Sequence, residues 1–152
     1  MSKAKKTGLF LCVLFFAVGG LWLYWEWPMP MDTLLPKENW VRMELCRGGV
    51  TDSYFETDFE NPELDKVLPQ MGAVRLTRAQ KRSYLDDQYF QIILYKGESY
   101  PTMIYVGSAG NVQIAEKLDF DHWKTYEGGE DFYRYLKSYS QTLPAVMKMP
   151  SP

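Results

Sequence analysis

The longest hydrophobic run in the chain lies between Lys6 and Glu26, where nineteen consecutive residues carry no charge. A helix of this length rises about 28 Å, close to the roughly 30 Å hydrocarbon core of a bilayer. A long buried core helix is the alternative, but such a helix normally has polar residues on part of its circumference, and residues 8–25 have none. The pattern predicts a transmembrane helix within residues 1–27. Its membrane-spanning positions include Gly8, Leu14, Phe16, Gly20 and Trp25.

Charged and aromatic residues at the two ends of the run predict its orientation. Basic residues beside a first span are retained in the cytoplasm, and no acidic residue precedes Glu26. The basic residues are Lys3, Lys5 and Lys6. Aromatic residues, which favour the headgroup region, follow at Trp22, Tyr24, Trp25 and Trp27. The N-terminus is therefore expected in the cytoplasm and the rest of the chain outside it.

A cleaved signal peptide shares the basic start and the apolar run, so it is the competing interpretation. Small residues at 17–20 offer a peptidase site. Cleavage there would leave a mature end that starts with five more large apolar residues, Leu21–Trp25. An uncleaved signal anchor is therefore the favoured prediction.

Beyond the anchor, residues 28–38 carry three prolines and no periodicity, which predicts an extended linker. Apolar and polar residues then alternate from Val41 to Cys46, which predicts a half-buried strand. The clearest alternation covers residues 89–117, with turns at 96–99 and 108–111. This pattern predicts a three-stranded antiparallel meander.

Two helices are predicted in the same region. Asn61-Pro62-Glu63 is typical of a helix start, and Pro69 and Gly72 are expected to end that short helix. A second helix is predicted from Gly129 to Thr142, because its large apolar residues form one stripe. The stripe comprises Phe132, Tyr135, Leu136, Tyr139 and Leu143.

The predicted fold class is α+β: an N-terminal transmembrane helix, then a two-layer domain in which an antiparallel sheet packs against the C-terminal helix. The expected boundaries are 1–27 for the anchor, 28–38 for the linker, 39–143 for the domain and 144–152 for a disordered tail. In residues 40–143, the NPELDKVLPQM helix, the QYFQIILYKGESYPTMIYVGSAGNVQIAEK meander and the DFYRYLKSY helix resemble small membrane-anchored exported domains of unknown function from Gram-positive bacteria. This resemblance is one of pattern, and it implies no catalytic residue.

Charge and cysteine content limit the partners and the compartment. Three of the 17 basic residues precede the span, so the remainder is more acidic than the net charge of −2 implies. An acidic domain has no basic surface for nucleic acid, and none is expected as a partner. Cys12 in the bilayer cannot pair with Cys46 outside it, so the domain must fold without a disulfide.

Two polar clusters are candidates for catalytic or metal sites. His122, the single histidine, lies among Asp119 and Asp121, and this group could support a small hydrolase. No motif supplies a nucleophile, so a solvated loop histidine is the favoured interpretation. Six acidic residues between Asp52 and Asp65 lack the spacing of a calcium loop and predict a charged surface. No cofactor, metal or catalytic residue is predicted.

Two further patches are candidates for binding. Arg75, Arg78 and Arg82, with Lys81, would share one face if their segment were helical, where they could hold an anionic lipid, a wall polymer or partner carboxylates. A solvated loop or helix face is the favoured interpretation of this basic patch. Tyrosines lie on one side of the meander, at Tyr89, Tyr95 and Tyr105. This side either packs under the Arg75–Tyr84 segment, with partial cover as the favoured interpretation, or faces outward and forms a binding surface for a protein or glycan.

The sequence therefore predicts a single-pass, membrane-anchored, extracytoplasmic interaction module of a bacterial plasma membrane, without catalytic activity. Its expected partners are the lipid bilayer and another membrane or cell-envelope protein. A ligand-binding or sensing domain for an envelope component, a small hydrolase based on His122, and an immunity or inhibitor protein are the alternatives.

Overall fold

The computed structural model describes residues 3–37, 39–49, 56–79, 88–97, 100–115 and 123–148, with side chains except those of residues 3–9, 56 and 147–148. These residues confirm the α+β class, with three helices and a large antiparallel sheet of nine strands. The helices are α1 (Lys3–Glu26), α2 (Leu64–Ala73) and α3 (Glu130–Ser140). The strands are β1 (Met29–Pro30), β2 (Arg42–Gly49), β3 (Glu56–Phe59), β4 (Arg75–Arg78), β5 (Gln88–Tyr95), β6 (Thr102–Gly107), β7 (Val112–Ala115), β8 (Lys124–Glu127) and β9 (Ala145–Lys148).

The sheet is built around the predicted meander β5-β6-β7. Its full order is β1-β4-β8-β7-β6-β5-β2-β3-β9. Alternation places Phe90 opposite Val106 and Val106 opposite Val112, and all three are fully buried. Strand β2, predicted from its own alternation, pairs with β5 along its whole length.

One face of the sheet carries the hydrophobic core. The ring of Phe90 lies 5.4 Å from that of Tyr133 in α3, and Phe132 and Leu136 of α3 are buried in the same cluster. Helix α2 contributes Val67, which is also fully buried.

The predicted linker is not a free tether. Strand β1 pairs with β4, and a 3-10 turn follows at Met31–Leu34. Met31 is fully buried and Leu35 is 6 % exposed, while the Met31 amide donates to the carbonyl of Val74. The prediction of an extended path is wrong at Met31–Leu34, where the chain forms a 3-10 turn, and apolar side chains pack this segment against the domain.

The predicted disordered tail is wrong for its first part. Residues Ala145–Lys148 form β9, which pairs antiparallel with β3. The Glu60 amide donates to the Pro144 carbonyl at 2.9 Å and closes this edge. A four-residue strand has too short a pattern to be recognised, and its partner lies more than eighty residues away.

The region around α2 also differs from prediction. The helix begins at Leu64, because Asn61 has a left-handed backbone (φ 49°) and Glu63 is the N-cap, without a capping side-chain hydrogen bond. Pro69 lies inside the helix, which ends at Ala73. Residues Arg75–Arg78 form strand β4, so a shared helical face for the arginines is wrong there.

Helix α1 covers most of the predicted anchor, and the Trp27 amide still donates to the Leu23 carbonyl at 2.9 Å. No helix among the described residues combines the length and the apolar character needed to cross a membrane.

Candidate interaction surfaces

Tyr89, Tyr95 and Tyr105 lie on the face of the sheet opposite to the one that carries Phe90, and each is half-buried. We call this side the tyrosine face. The rings of Tyr89 and Tyr105 are 5.6 Å apart, and that of Trp123 lies 4.8 Å from Tyr105. The three rings form a row across β5, β6 and the residue before β8. Side chains of this kind are large, rigid and amphipathic.

A glycine makes room for the first ring of this row. Gly48 is the register partner of Tyr89 across β2 and β5. A Cβ at position 48 would stand 2.6 Å from the phenol end of Tyr89, so any other residue would displace that ring. Gly48 therefore sets the position of Tyr89 over the sheet.

Tyr95 belongs to a separate polar group at the far end of β5. Its hydroxyl donates to Glu44 Oε2 at 2.9 Å, and the guanidinium carbon of Arg42 lies 4.0 Å from its ring centroid. Burial raises the pKa of Tyr95 above its usual value, and the hydrogen bond to Glu44 adds to the effect. These contacts hold Tyr95 as a neutral donor at the edge of the tyrosine face.

The arginines and the tyrosines do not form one surface. Strand β4, which carries Arg75 and Arg78, is separated from β5 by β8, β7 and β6. Arg78 is the register partner of Tyr126, on the core side of the sheet. Arg82 and Lys81 lie outside the described residues.

Arg78 instead joins the domain to α1. Its Nη1 donates to the backbone carbonyl of Tyr24 at 2.6 Å, and its guanidinium carbon lies 3.9 Å from the Tyr24 ring centroid. The Tyr24 carbonyl is in the last turn of α1, where carbonyls have no helical partner. Arg78 therefore both caps the carboxyl end of α1 and stacks on the ring of Tyr24.

An open cavity of about 490 Å³ lies at this junction, and we call it the base cavity. Its described lining contains two cationic side chains, Arg78 and Lys124, and no carboxylate. The rest of the lining consists of Tyr24, Thr33, Leu34–Pro36 and Tyr126. The described part of the lining therefore combines two cations with apolar side chains.

A second cavity, of about 370 Å³, lies between the ends of α2 and α3, and we call it the α2–α3 cleft. Arg75, Asp131, Phe132 and Tyr135 line it. Arg75 Nη1 donates to the Gly72 carbonyl at 2.8 Å. The Tyr135 hydroxyl donates to the Lys66 carbonyl at 2.9 Å, and burial raises the pKa of Tyr135.

The side chains of α1 are largely uncovered. Eleven large hydrophobic residues from Phe10 to Tyr24 are 48–78 % exposed, Phe16 among them at 77 %. Gly20 has open space around its Cα, and Trp25 is half-buried. Gly8 lies within the helix, but its surroundings are outside the described side chains.

The remaining candidate sites are mostly beyond the described residues. His122, Asp119 and Asp121 lie outside them, so neither the favoured solvated histidine nor the alternative hydrolase group is tested. Within the described part of the chain, no group of three His, Cys, Asp or Glu side chains is placed to hold a metal ion. Cys46 is buried, as expected for a small apolar residue.

Sequence reasoning missed Trp123, Lys124 and the contact of Arg78 with α1. Trp123 could have been found, since it precedes β8 by one residue and continues its alternation. The position of Lys124 and Arg78 depends on β4 pairing with β8 across more than forty residues, and no local pattern reports that pairing.

Comparison of the chain with protein-family models, with curated proteins and with solved structures finds no match to any of them.

Proposed function

We propose that this chain is a membrane-anchored interaction module without catalytic activity, held in a bacterial plasma membrane by α1. Its N-terminus lies in the cytoplasm, and its domain lies outside and recognises another membrane or cell-envelope protein. In this proposal α3 covers one face of the sheet, and the tyrosine face meets the partner.

No helix among the described residues has the length and apolar character that a membrane span requires, but the uncharged run of the sequence begins at Thr7, before the first described side chain at Phe10. The observation that carries the proposal is the exposed apolar surface of α1. Side chains of this size stabilise by roughly 1.5–3 kcal/mol each when fully removed from water. Because the eleven residues are 48–78 % exposed, covering all of them is worth roughly 10–20 kcal/mol. This is comparable to the whole stability of an ordinary domain, roughly 5–15 kcal/mol. Because the apolar residues surround the helix, a groove on one partner would cover only one side, whereas lipid covers all sides.

The aromatic row supports the recognition half of the proposal. Interfaces are enriched in tyrosine and tryptophan, because a large ring loses little conformational entropy on binding. Tyr89, Tyr105 and Trp123 provide such a row on the side away from Phe90 and α3.

Membrane attachment is tested by extracting membranes of expressing cells at alkaline pH. The full chain is expected to stay in the pellet and to dissolve only with detergent. A control chain with Leu14→Lys and Phe16→Lys should move to the supernatant, because each charge at mid-membrane costs roughly 2.5–3.5 kcal/mol. Full-length wild-type chain in the supernatant would contradict the proposal.

Recognition is tested by photocrosslinking in intact cells. A crosslinking amino acid replaces Gln113, whose register partner is Tyr105 on the tyrosine face. The matched control places it at Lys137, which is exposed on α3. A discrete adduct is expected from position 113 and none from 137. Adducts of equal yield at both positions, or none at 113, would reject the tyrosine face as the interface.

A ligand-binding domain is the second candidate, favoured by the α2–α3 cleft with its Arg75 and Tyr135. Soluble wall fragments should then protect amides of α2 and α3 from hydrogen exchange, and Arg75→Gln should remove the protection. Unchanged exchange at saturating fragment would remove this candidate.

A further inference from the structure

We propose that the base cavity binds the phosphate group of an anionic glycerophospholipid, in the leaflet that surrounds the carboxyl end of α1. The inference rests on the proposed membrane anchor and adds a specific lipid partner to it.

The position of the cavity is the first argument. Tyr24 belongs to the aromatic group that ends α1, and such residues favour the headgroup region. Arg78 lies against the ring and the carbonyl of Tyr24, so its charge is held at the depth of that group. A phosphate at the same depth needs no insertion into the domain.

Charge is the second argument. Among the described residues that line the cavity, Arg78 and Lys124 carry positive charge and none carries negative charge. One Arg78 nitrogen donates to Tyr24, and a guanidinium has five N–H donors in a planar fork that suits phosphate oxygens. Lys124 is an exposed residue of the cavity wall and is the second cationic side chain of the described lining.

The apolar part of the cavity distinguishes a lipid from a free phosphate. Leu34 and Leu35 line the cavity beside the two cations. One turn before Tyr24, on the same face of α1, Gly20 leaves open space and Leu21 is 64 % exposed. A ligand with a phosphate in the cavity can therefore extend its acyl chains along α1. A volume of about 490 Å³ is within the usual range of small-molecule sites.

The expected selectivity follows from the two charges. A basic residue near an anionic membrane surface strengthens binding roughly fivefold, so two give about 25-fold preference for anionic over zwitterionic lipid. Arg78→Gln and Lys124→Gln should each lower the preference about fivefold. Arg78→Lys should retain more of it than Arg78→Gln, because it keeps the charge.

The experiment reconstitutes the full chain in phosphatidylcholine vesicles that contain phosphatidylglycerol. Brominated phosphatidylglycerol or brominated phosphatidylcholine replaces its parent lipid, and quenching of tryptophan fluorescence reports which lipid contacts the helix end. Lys137→Gln, on the exposed side of α3, is the control that removes a charge outside the described lining of the cavity. Circular dichroism verifies that each variant keeps its fold, and the exposed Lys124 gives a readout that does not depend on the Arg78 contact.

The site would be supported if brominated phosphatidylglycerol quenches more strongly than brominated phosphatidylcholine, and if this difference falls in Arg78→Gln and Lys124→Gln but not in Lys137→Gln. Equal quenching by both lipids, or equal loss in all three variants, would overturn it while leaving the anchor intact. Displacement by millimolar glycerol 3-phosphate would show a soluble phosphate ligand and reject the lipid. Failure of the wild-type chain to float with the vesicles would reject the anchor, and this inference with it.

Discussion

Replacing Met31 by Ala is expected to destabilise the domain, although Met31 lies in a proline-rich stretch that reads as a linker. The residue is fully buried, and its amide donates to Val74, between α2 and β4. Truncation of a buried Met to Ala costs roughly 2–5 kcal/mol, because the lost contacts and the cavity add. Neighbouring flexible side chains relax into part of the space, so we expect Met31→Ala to lower the free energy of unfolding by about 3 kcal/mol.

The same change at Met29 is the matched control. Met29 lies two residues earlier and is only partly buried, so Met29→Ala is expected to cost about 1 kcal/mol. The assay is thermal and urea unfolding of the full chain in detergent micelles, followed by circular dichroism. A cost of 3 kcal/mol corresponds to a melting temperature lower by roughly 6–12 °C for a chain of this size.

The outcome separates a packed segment from a free one. If residues 29–35 were a tether, Met31→Ala and Met29→Ala would both have a free energy of unfolding within about 0.5 kcal/mol of the wild-type value. Equal, small effects would therefore refute the packing of this segment against the domain. The position of α1 at the base cavity would lose its support as well.

Two further changes test local features of the domain. Gly128→Ala is expected to lower the free energy of unfolding by roughly 3 kcal/mol, because φ is +100° and the new Cβ would stand 2.9 Å from the Arg75 carbonyl oxygen. The control Gly97→Ala, in open space, should lower it by roughly 1–2 kcal/mol. Equal losses in urea unfolding would contradict the close approach at Gly128. Tyr95→Phe is expected to be less stable than wild type, and the difference in free energy of unfolding should shrink only at alkaline pH. Burial and Glu44 raise the pKa of Tyr95 in the folded state, so the stabilisation by its hydroxyl is complete below the unfolded value of 10.0 and is lost as pH rises above it. A deficit that stays constant above pH 10.0 would contradict that linkage.

The elements that sequence alone predicted are those with a strong local period. The meander at 88–115 and α3 have alternation or a helical stripe long enough to read directly. Pairings between distant segments, such as β3 with β9 and β4 with β8, leave no such signal. Met31 was misread for a related reason, because prolines around it resemble a linker and its burial depends on α2 and β4.

The candidate surfaces divide in the same way. The tyrosines share a face because they alternate within a single meander, and that was predictable from spacing. Arg78 contacts α1, which precedes it by about fifty residues, and local spacing gives no sign of that contact. His122 stays a prediction, outside the described residues.

The membrane topology of the domain is tested most directly by labelling a single introduced cysteine in intact cells. Ser108→Cys places a thiol in the exposed turn after β6, while the native Cys46 is buried and Cys12 lies in the apolar helix. The unmodified chain is the control. A membrane-impermeant maleimide is expected to label Ser108→Cys, and not the control, before the cells are broken. Labelling of Ser108→Cys only after lysis would place the domain inside the cell and contradict the account.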